Sequence, residues 1–116
     1  MLCLLAIRKL PSVPEDLKVK IDEVAEEARD DIWQRGVLRK APCLCHGTTG
    51  NAIAMDKGRR ERMMRWAVGD VVKAMAVRGE MQENMDGGLY TGEAGRAWAW
   101  MVELGWVEGM VGFSDV

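Results

Sequence analysis

The chain has 116 residues, 48% of them apolar and 29% charged, with a formal net charge of −2. That size suits one domain or part of one, with a packed core but no large internal cavity. The balance of charge gives no general case for nucleic-acid binding. A basic set (Lys57, Arg59, Arg60, Arg62, Arg65) is offset by the acidic stretch from Glu15 to Asp31. Both read as solvated helix faces.

No apolar run is long enough to span a bilayer. The apolar start, Met1 to Ile7, has no basic leader before it and meets Arg8 and Lys9 at once. It therefore reads as a helix rather than a signal peptide. Of the three cysteines, two sit in Cys43-Leu44-Cys45. An odd count in that spacing speaks against a disulfide framework and for a reducing, cytoplasmic setting.

In chain order, Met1 to Leu10 reads as the end of a helix. Ser12 lies three residues before Glu15, the spacing of a capping box, and Pro14 suits a first turn. Leu17, Ile21, Val24, Ala28 and Ile32 follow at helical spacing among charged residues, so an amphipathic helix is predicted over 14–35. Gly36 is placed to end it. Val37 to Pro42 is a connector. Gly47 and Gly50, three apart, mark a turn into a short helix broken at Asp56-Lys57-Gly58. A second long helix is predicted over 60–78, its apolar side marked by Met63, Trp66, Ala67, Val71, Ala74 and Met75. Glu80 to Gly88 reads as a loop. A last helix is predicted over 92–104, with Thr91 as its cap, and a glycine-rich tail after Gly105 is expected to fray.

No strand signal appears, so the fold class is all-α, built of helical hairpins. The two glycine-rich entries, Gly47 to Gly50 and Gly92 to Gly95, resemble each other. The five tryptophans (Trp33, Trp66, Trp98, Trp100, Trp106) read as packing residues.

The residues that carry chemistry are Cys45 and His46. Zinc takes thiolate and imidazole, and adjacent residues reach one ion only where the backbone turns sharply between them. The glycines that follow permit such a turn. The competing reading is a buried cysteine beside a hydrogen-bonded histidine. Gly47-Thr48-Thr49-Gly50 is not a phosphate-binding loop, because Asn51-Ala52 stands where Lys-Ser/Thr should follow.

The segment Asp31 to Ala52, ending in Cys45-His46-Gly47-Thr48-Thr49-Gly50-Asn51-Ala52, resembles the eukaryotic LanC-like family, which carries a Cys-His-Gly-x-x-Gly-Asn-Ala motif. Leu89-Tyr90-Thr91-Gly92-Glu93-Ala94-Gly95 resembles a later family turn of the form Leu-Phe-x-Gly-x-Ala-Gly. The resemblance extends over about residues 15–104 and casts residues 1–116 as a C-terminal part of a LanC-like domain, a truncated α/α toroid. It implies a Zn2+ held by two cysteines and one histidine, with Cys45 and His46 as two of the three ligands. It implies that a thiol, glutathione or a peptide cysteine, takes the fourth position and adds to dehydroamino acids to form a thioether. Lys40 stands where relatives carry a lysine that contacts glutathione. The family also implies a cytoplasmic protein that sits peripherally at the plasma membrane.

The departures are as specific as the matches. The family's other zinc cysteine and its proton-transfer histidine lie in earlier segments. His46 is the sole histidine here. The helix after Asn51 is shorter than in the family. Cys43 stands at a position that is usually glycine, and the expectation is that it is not a metal ligand. The expectation is that this chain by itself lacks turnover and associates through helix faces left uncovered. A non-catalytic helical interaction module is the alternative reading.

Overall fold

In a computed structural model, residues 2–37, 39–82 and 86–108 are described. Every regular element among them is helical: α1 (Leu2–Arg8), α2 (Glu15–Arg35), α3 (Thr48–Ile53), α4 (Lys57–Met64), α5 (Gly69–Val77) and α6 (Glu93–Glu103). A single 3-10 turn, Arg65–Ala67, joins α4 to α5. The all-α class stands, and no strand occurs among the described residues. The expected fraying after Gly105 falls largely on residues 109–116, which lie outside the described set, as do residues 83–85 of the expected loop.

The chain packs as two linked parts. α1 folds back on α2, with the Arg8 guanidinium paired to Asp22. α3 lies at the centre of the other part, against α4 and α6. Its core joins Leu44, Ala52, Ile53, Met55, Met63, Met64, Ala67, Ala99 and Val102, with Ile32, Trp33, Trp98 and Trp100 packed on it. Two polar contacts tie α2 to this core. The side-chain amide of Asn51 donates to the Gly36 carbonyl at 3.0 Å, and Arg29 reaches the Ala54 carbonyl at 3.4 Å.

Several boundaries differ from the sequence expectation. The cap of α2 is Pro14, with no side-chain cap bond, so Ser12 closes no capping box. A turn that bonds the Val13 amide to the Leu10 carbonyl keeps Ser12 outside the helix. Gly36 does end α2, but in right-handed geometry (φ −79°, ψ −7°). On α2 the buried positions are Ile21 and Ala25, whereas Leu17 and Val24 are exposed.

The long helix expected over 60–78 is two helices. α4 starts earlier, at Lys57, because Asp56 caps it by accepting from the Arg59 amide at 3.0 Å, and Gly58 lies inside the first turn. The helix then breaks at Val68, which is extended (φ −68°, ψ 134°). The break re-aims the apolar side. Met63, Met64 and Ala67 face the main core, whereas Val72 and Met75 form a second cluster with Met81. Trp66 is left 43% exposed, and Trp106 73%. These two are not packing residues as expected, unlike Trp33, Trp98 and Trp100. The cap of α6 is Gly92 rather than Thr91.

Three of the basic set, Arg59, Arg60 and Arg65, have acidic partners. Arg59 meets Asp30 at 2.7 Å and lies over the Trp33 ring at 6.0 Å. Arg60 meets Glu103 at 2.7 Å, joining α4 to α6. Arg65 meets Glu61 at 3.2 Å.

The Asp56 cap gives a pH-dependent prediction. The Arg59 amide holds the Asp56 carboxyl below its ordinary value of 3.8, against a smaller opposing effect of desolvation. A carboxyl depressed in the folded state stabilises above its unfolded pKa, and the contribution fades as pH falls through the folded value. Asp56→Ala is therefore expected to lower Tm by a few degrees near neutral pH. The gap from the parent chain should close as pH drops below 3.8. A gap unchanged down to pH 2 would remove the carboxylate cap as its cause.

Candidate metal centre

Cys45 and His46 sit on the turn that opens α3, and both are exposed. The turn is fixed from below by the Cys43 carbonyl, which accepts from the Gly47 amide at 3.2 Å and the Gly50 amide at 3.1 Å. Gly50 permits this fold-back. A Cβ there would lie 2.0 Å from the Leu44 carbonyl oxygen, closer than any side chain tolerates. Cys43 and Leu44 are buried at 1% and 2% exposure, and Thr48 and Thr49 are fully buried. The burial pattern thus lifts Cys45 and His46 alone out of a packed segment. Cys43 lies inside it. Strict alternation would put residues two apart on one side, so the turn bonded to the Cys43 carbonyl, not alternation, separates Cys43 from Cys45.

A second turn repeats the first at an offset of 45 residues, which the numbering of the paired residues gives directly. Gly95 stands to Leu89 as Gly50 stands to Leu44: its Cβ would also lie 2.0 Å from the carbonyl oxygen six residues earlier. The Gly92 amide bonds the Gly88 carbonyl as the Gly47 amide bonds that of Cys43, and the Arg96 amide bonds Gly92 as that of Asn51 bonds Gly47. Gly47 (φ −113°, ψ −179°) and Gly92 (φ −126°, ψ −159°) share an extended conformation as helix caps. The exposed pair Tyr90-Thr91 thereby takes the register of Cys45-His46.

The two turns are joined directly. The Cys45 amide donates to the Tyr90 carbonyl at 2.9 Å, and Leu44 Cγ approaches the Gly95 Cβ position at 3.1 Å. Sequence reasoning noticed that the glycine entries resemble each other but not that they lie side by side. The signal was available in the shared Leu-x-x-Gly-x-x-Gly spacing.

Lys40 is exposed on the connector before the turn. Its neighbour Arg39 is anchored there, where its carbonyl accepts from the Gln82 amide at 2.8 Å. As donors, one thiol and one imidazole suit zinc in kind. They fill two of the four positions that zinc takes. No group of three or more His, Cys, Asp or Glu side chains able to hold a metal occurs among the described residues. Two buried hydroxyls, Thr48 Oγ1 and Thr49 Oγ1, have no hydrogen-bond partner among the described residues.

The chain matches the family model for lanthionine synthetase C-like protein over residues 16–102, a span that contains both turns and the helices around them. It belongs to that family. No curated protein and no solved structure matches it. No helix among the described residues is long and apolar enough to cross a membrane.

The burial pattern predicts thiol reactivity. Cys3 and Cys45 are exposed and Cys43 is buried. Iodoacetamide in native buffer should add two labels by intact mass, at Cys3 and Cys45, with the third appearing only in denaturant. Native labelling of Cys43 at the rate of Cys45 would contradict the packing described.

Proposed function

We propose that this chain is the zinc- and thiol-binding part of a LanC-like protein, with Cys45 and His46 as metal ligands. The reaction is thioether formation. Glutathione or a peptide cysteine adds through sulfur to the β-carbon of a dehydroamino acid, the thiol loses its proton, and the α-carbon gains one. The observation that carries this reading is the exposed Cys45-His46 pair on an otherwise buried turn, within the span matched to the family.

Zinc, when bound, lowers the pKa of a thiol and so supplies a nucleophile at neutral pH. The chain's own residues hold and orient. The fold-back onto the Cys43 carbonyl fixes the Cys45 backbone, and the bond to Tyr90 fixes its amide. A rigid ligand turn limits the entropy lost when a metal is captured. His46, the sole histidine, serves as a ligand and is not available to carry a proton. Lys40 supplies a cation on the approach to the turn, suited to a glutathione carboxylate. A helical interaction module remains the second reading, favoured by the exposed apolar residues Leu17, Val19 and Val24 on α2.

Cobalt provides the test, because thiolate ligation gives a charge-transfer band. The purified chain should bind Co2+ with that band. Cys45→Ser should abolish it, His46→Ala should weaken metal affinity at least tenfold, and Cys43→Ser should leave both unchanged. Equal binding by the Cys45→Ser variant would end the proposal.

Turnover is a separate matter. Glutathione addition to a dehydroalanine peptide by the zinc-loaded chain is expected to stay at the rate of zinc alone, since the chain's only histidine is committed to the metal. A faster rate that disappears in Cys45→Ala would show that the chain supplies more of the catalytic machinery than two ligands.

A further inference from the structure

α5 is set apart from the rest of the fold. Among the helical elements it packs chiefly on the 3-10 turn at its own start. The chain is extended at Val68, and no side chain caps the helix that follows. A Cβ added at Gly69 would meet nothing within 4 Å, so the backbone at this junction has open space around it. Beyond the junction the segment carries its own small core. Val72, Met75 and Met81 form a buried cluster with Val71 packed beside them, and all four lie within residues 69–82.

Hydrogen bonding follows the same boundary. The Arg78 amide donates to the Ala74 carbonyl, that of Gly79 to Ala76 and that of Glu80 to Met75, which folds the end of α5 onto itself at Gly79 (φ +69°). The Arg78 guanidinium meets the Glu80 carboxylate at 2.8 Å. Among the described residues, one backbone bond leaves the segment at its far end: the Gln82 amide donates to the Arg39 carbonyl at 2.8 Å. The Arg39 charge also acts on Glu80, whose carboxyl is held below its ordinary 4.5 chiefly by the bond to Arg78.

Arg39 begins the stretch that enters the Cys45 turn. Two residues on, the Ala41 carbonyl oxygen lies 2.3 Å from where a Cβ on Gly47 would sit, and the Cys43 carbonyl accepts from the Gly47 and Gly50 amides. A segment free at its joint, closed on its own core and fastened at one distant point has the build of a strap. We propose that residues 69–82 are a hinged strap that opens as a unit about Val68 and Gly69 and, when docked on Arg39, holds residues 39–43 against the Cys45 turn. Lys40 stands next to the docking point, so docking also bears on the thiol ligand of the centre. That second part rests on the zinc and thiol reading above, whereas the strap itself does not.

Hydrogen exchange read by mass spectrometry on the full chain tests it. In the parent, the amides of residues 70–82 should exchange together, and faster than those of α3 and α6 by about tenfold or more. Gln82→Pro removes the donor of the docking bond. It should speed exchange in residues 70–82 and 39–43 and leave α3, α4 and α6 at parent rates. Glu80→Ala keeps that donor and should act in the same direction more weakly. With Co2+ bound, Gln82→Pro should keep the parent metal affinity and weaken glutathione about threefold or more, as the docked fraction falls. β-Mercaptoethanol, which has no carboxylate, should bind as before. Exchange in residues 70–82 as slow as in α3 and α6 of the parent overturns the strap. So does an acceleration in Gln82→Pro that spreads evenly over all helices or spares residues 39–43. Parent-like glutathione binding in Gln82→Pro overturns the effect on the ligand. Failure of the parent to bind Co2+ through Cys45 ends the zinc reading and that effect with it, while the exchange rates still decide the strap.

Discussion

Leu44 and Leu89 each bring a carbonyl oxygen to within 2.0 Å of where a side chain would begin on a glycine six residues later. Nothing larger than a hydrogen fits at Gly50 or Gly95, and the rest of the arrangement follows from that. The fold-back at Gly50 puts Leu44 into the core and Cys45 on the surface. It starts α3 at Thr48, where its buried face meets α4 and α6. The same fold-back at Gly95 starts α6 and brings it alongside. Because both turns take one shape, the Cys45 amide and the Tyr90 carbonyl come opposite each other and bond. A methyl group at either glycine would have to displace backbone rather than a flexible side chain, the costlier of the two.

Charge plays a smaller part in holding the helices together. Most of the ion pairs are exposed, and exposed pairs contribute little. The Arg60–Glu103 pair is the most shielded, with side chains 21% and 11% exposed, and it links α4 to α6 beside the core. Arg59 is shared between Asp30 and the face of Trp33, which anchors the end of α2 onto α4. Two residues of the basic run, Arg59 and Arg60, thus hold helices to one another.

The fold class and the positions of the main helices were legible because they rest on local signals: helical spacing from Ile21 to Ile32, glycines at the entries of α3 and α6, and the alanines and tryptophans of α6. The expected stripe on α2 was only half right. Leu17 and Val24 share the helical spacing of Ile21, but periodicity does not say which apolar residues a neighbour covers, and no described element covers these two. The break at Val68 was illegible for a related reason. Its cause is tertiary, since Met64 and Met75 serve different clusters. At the centre, the Cys45-His46 adjacency was readable from sequence chemistry and family resemblance. The backbone bond from Cys45 to Tyr90 was not, because a contact between residues 45 positions apart leaves no local mark.

The buried residues include Met55, Met63, Met64, Met75 and Met81. Methionine is unbranched and adapts its shape to irregular gaps, so it fills space without dictating geometry. The main core therefore combines soft filling with two rigid backbone constrictions. Drift among Met, Leu and Ile at the filled positions is tolerated, while the constrictions accept nothing but glycine. A chain built this way is expected to tolerate substitution at its filled positions far better than at its turns. The Leu-x-x-Gly-x-x-Gly turns are thus the positions where this fold tolerates the least change.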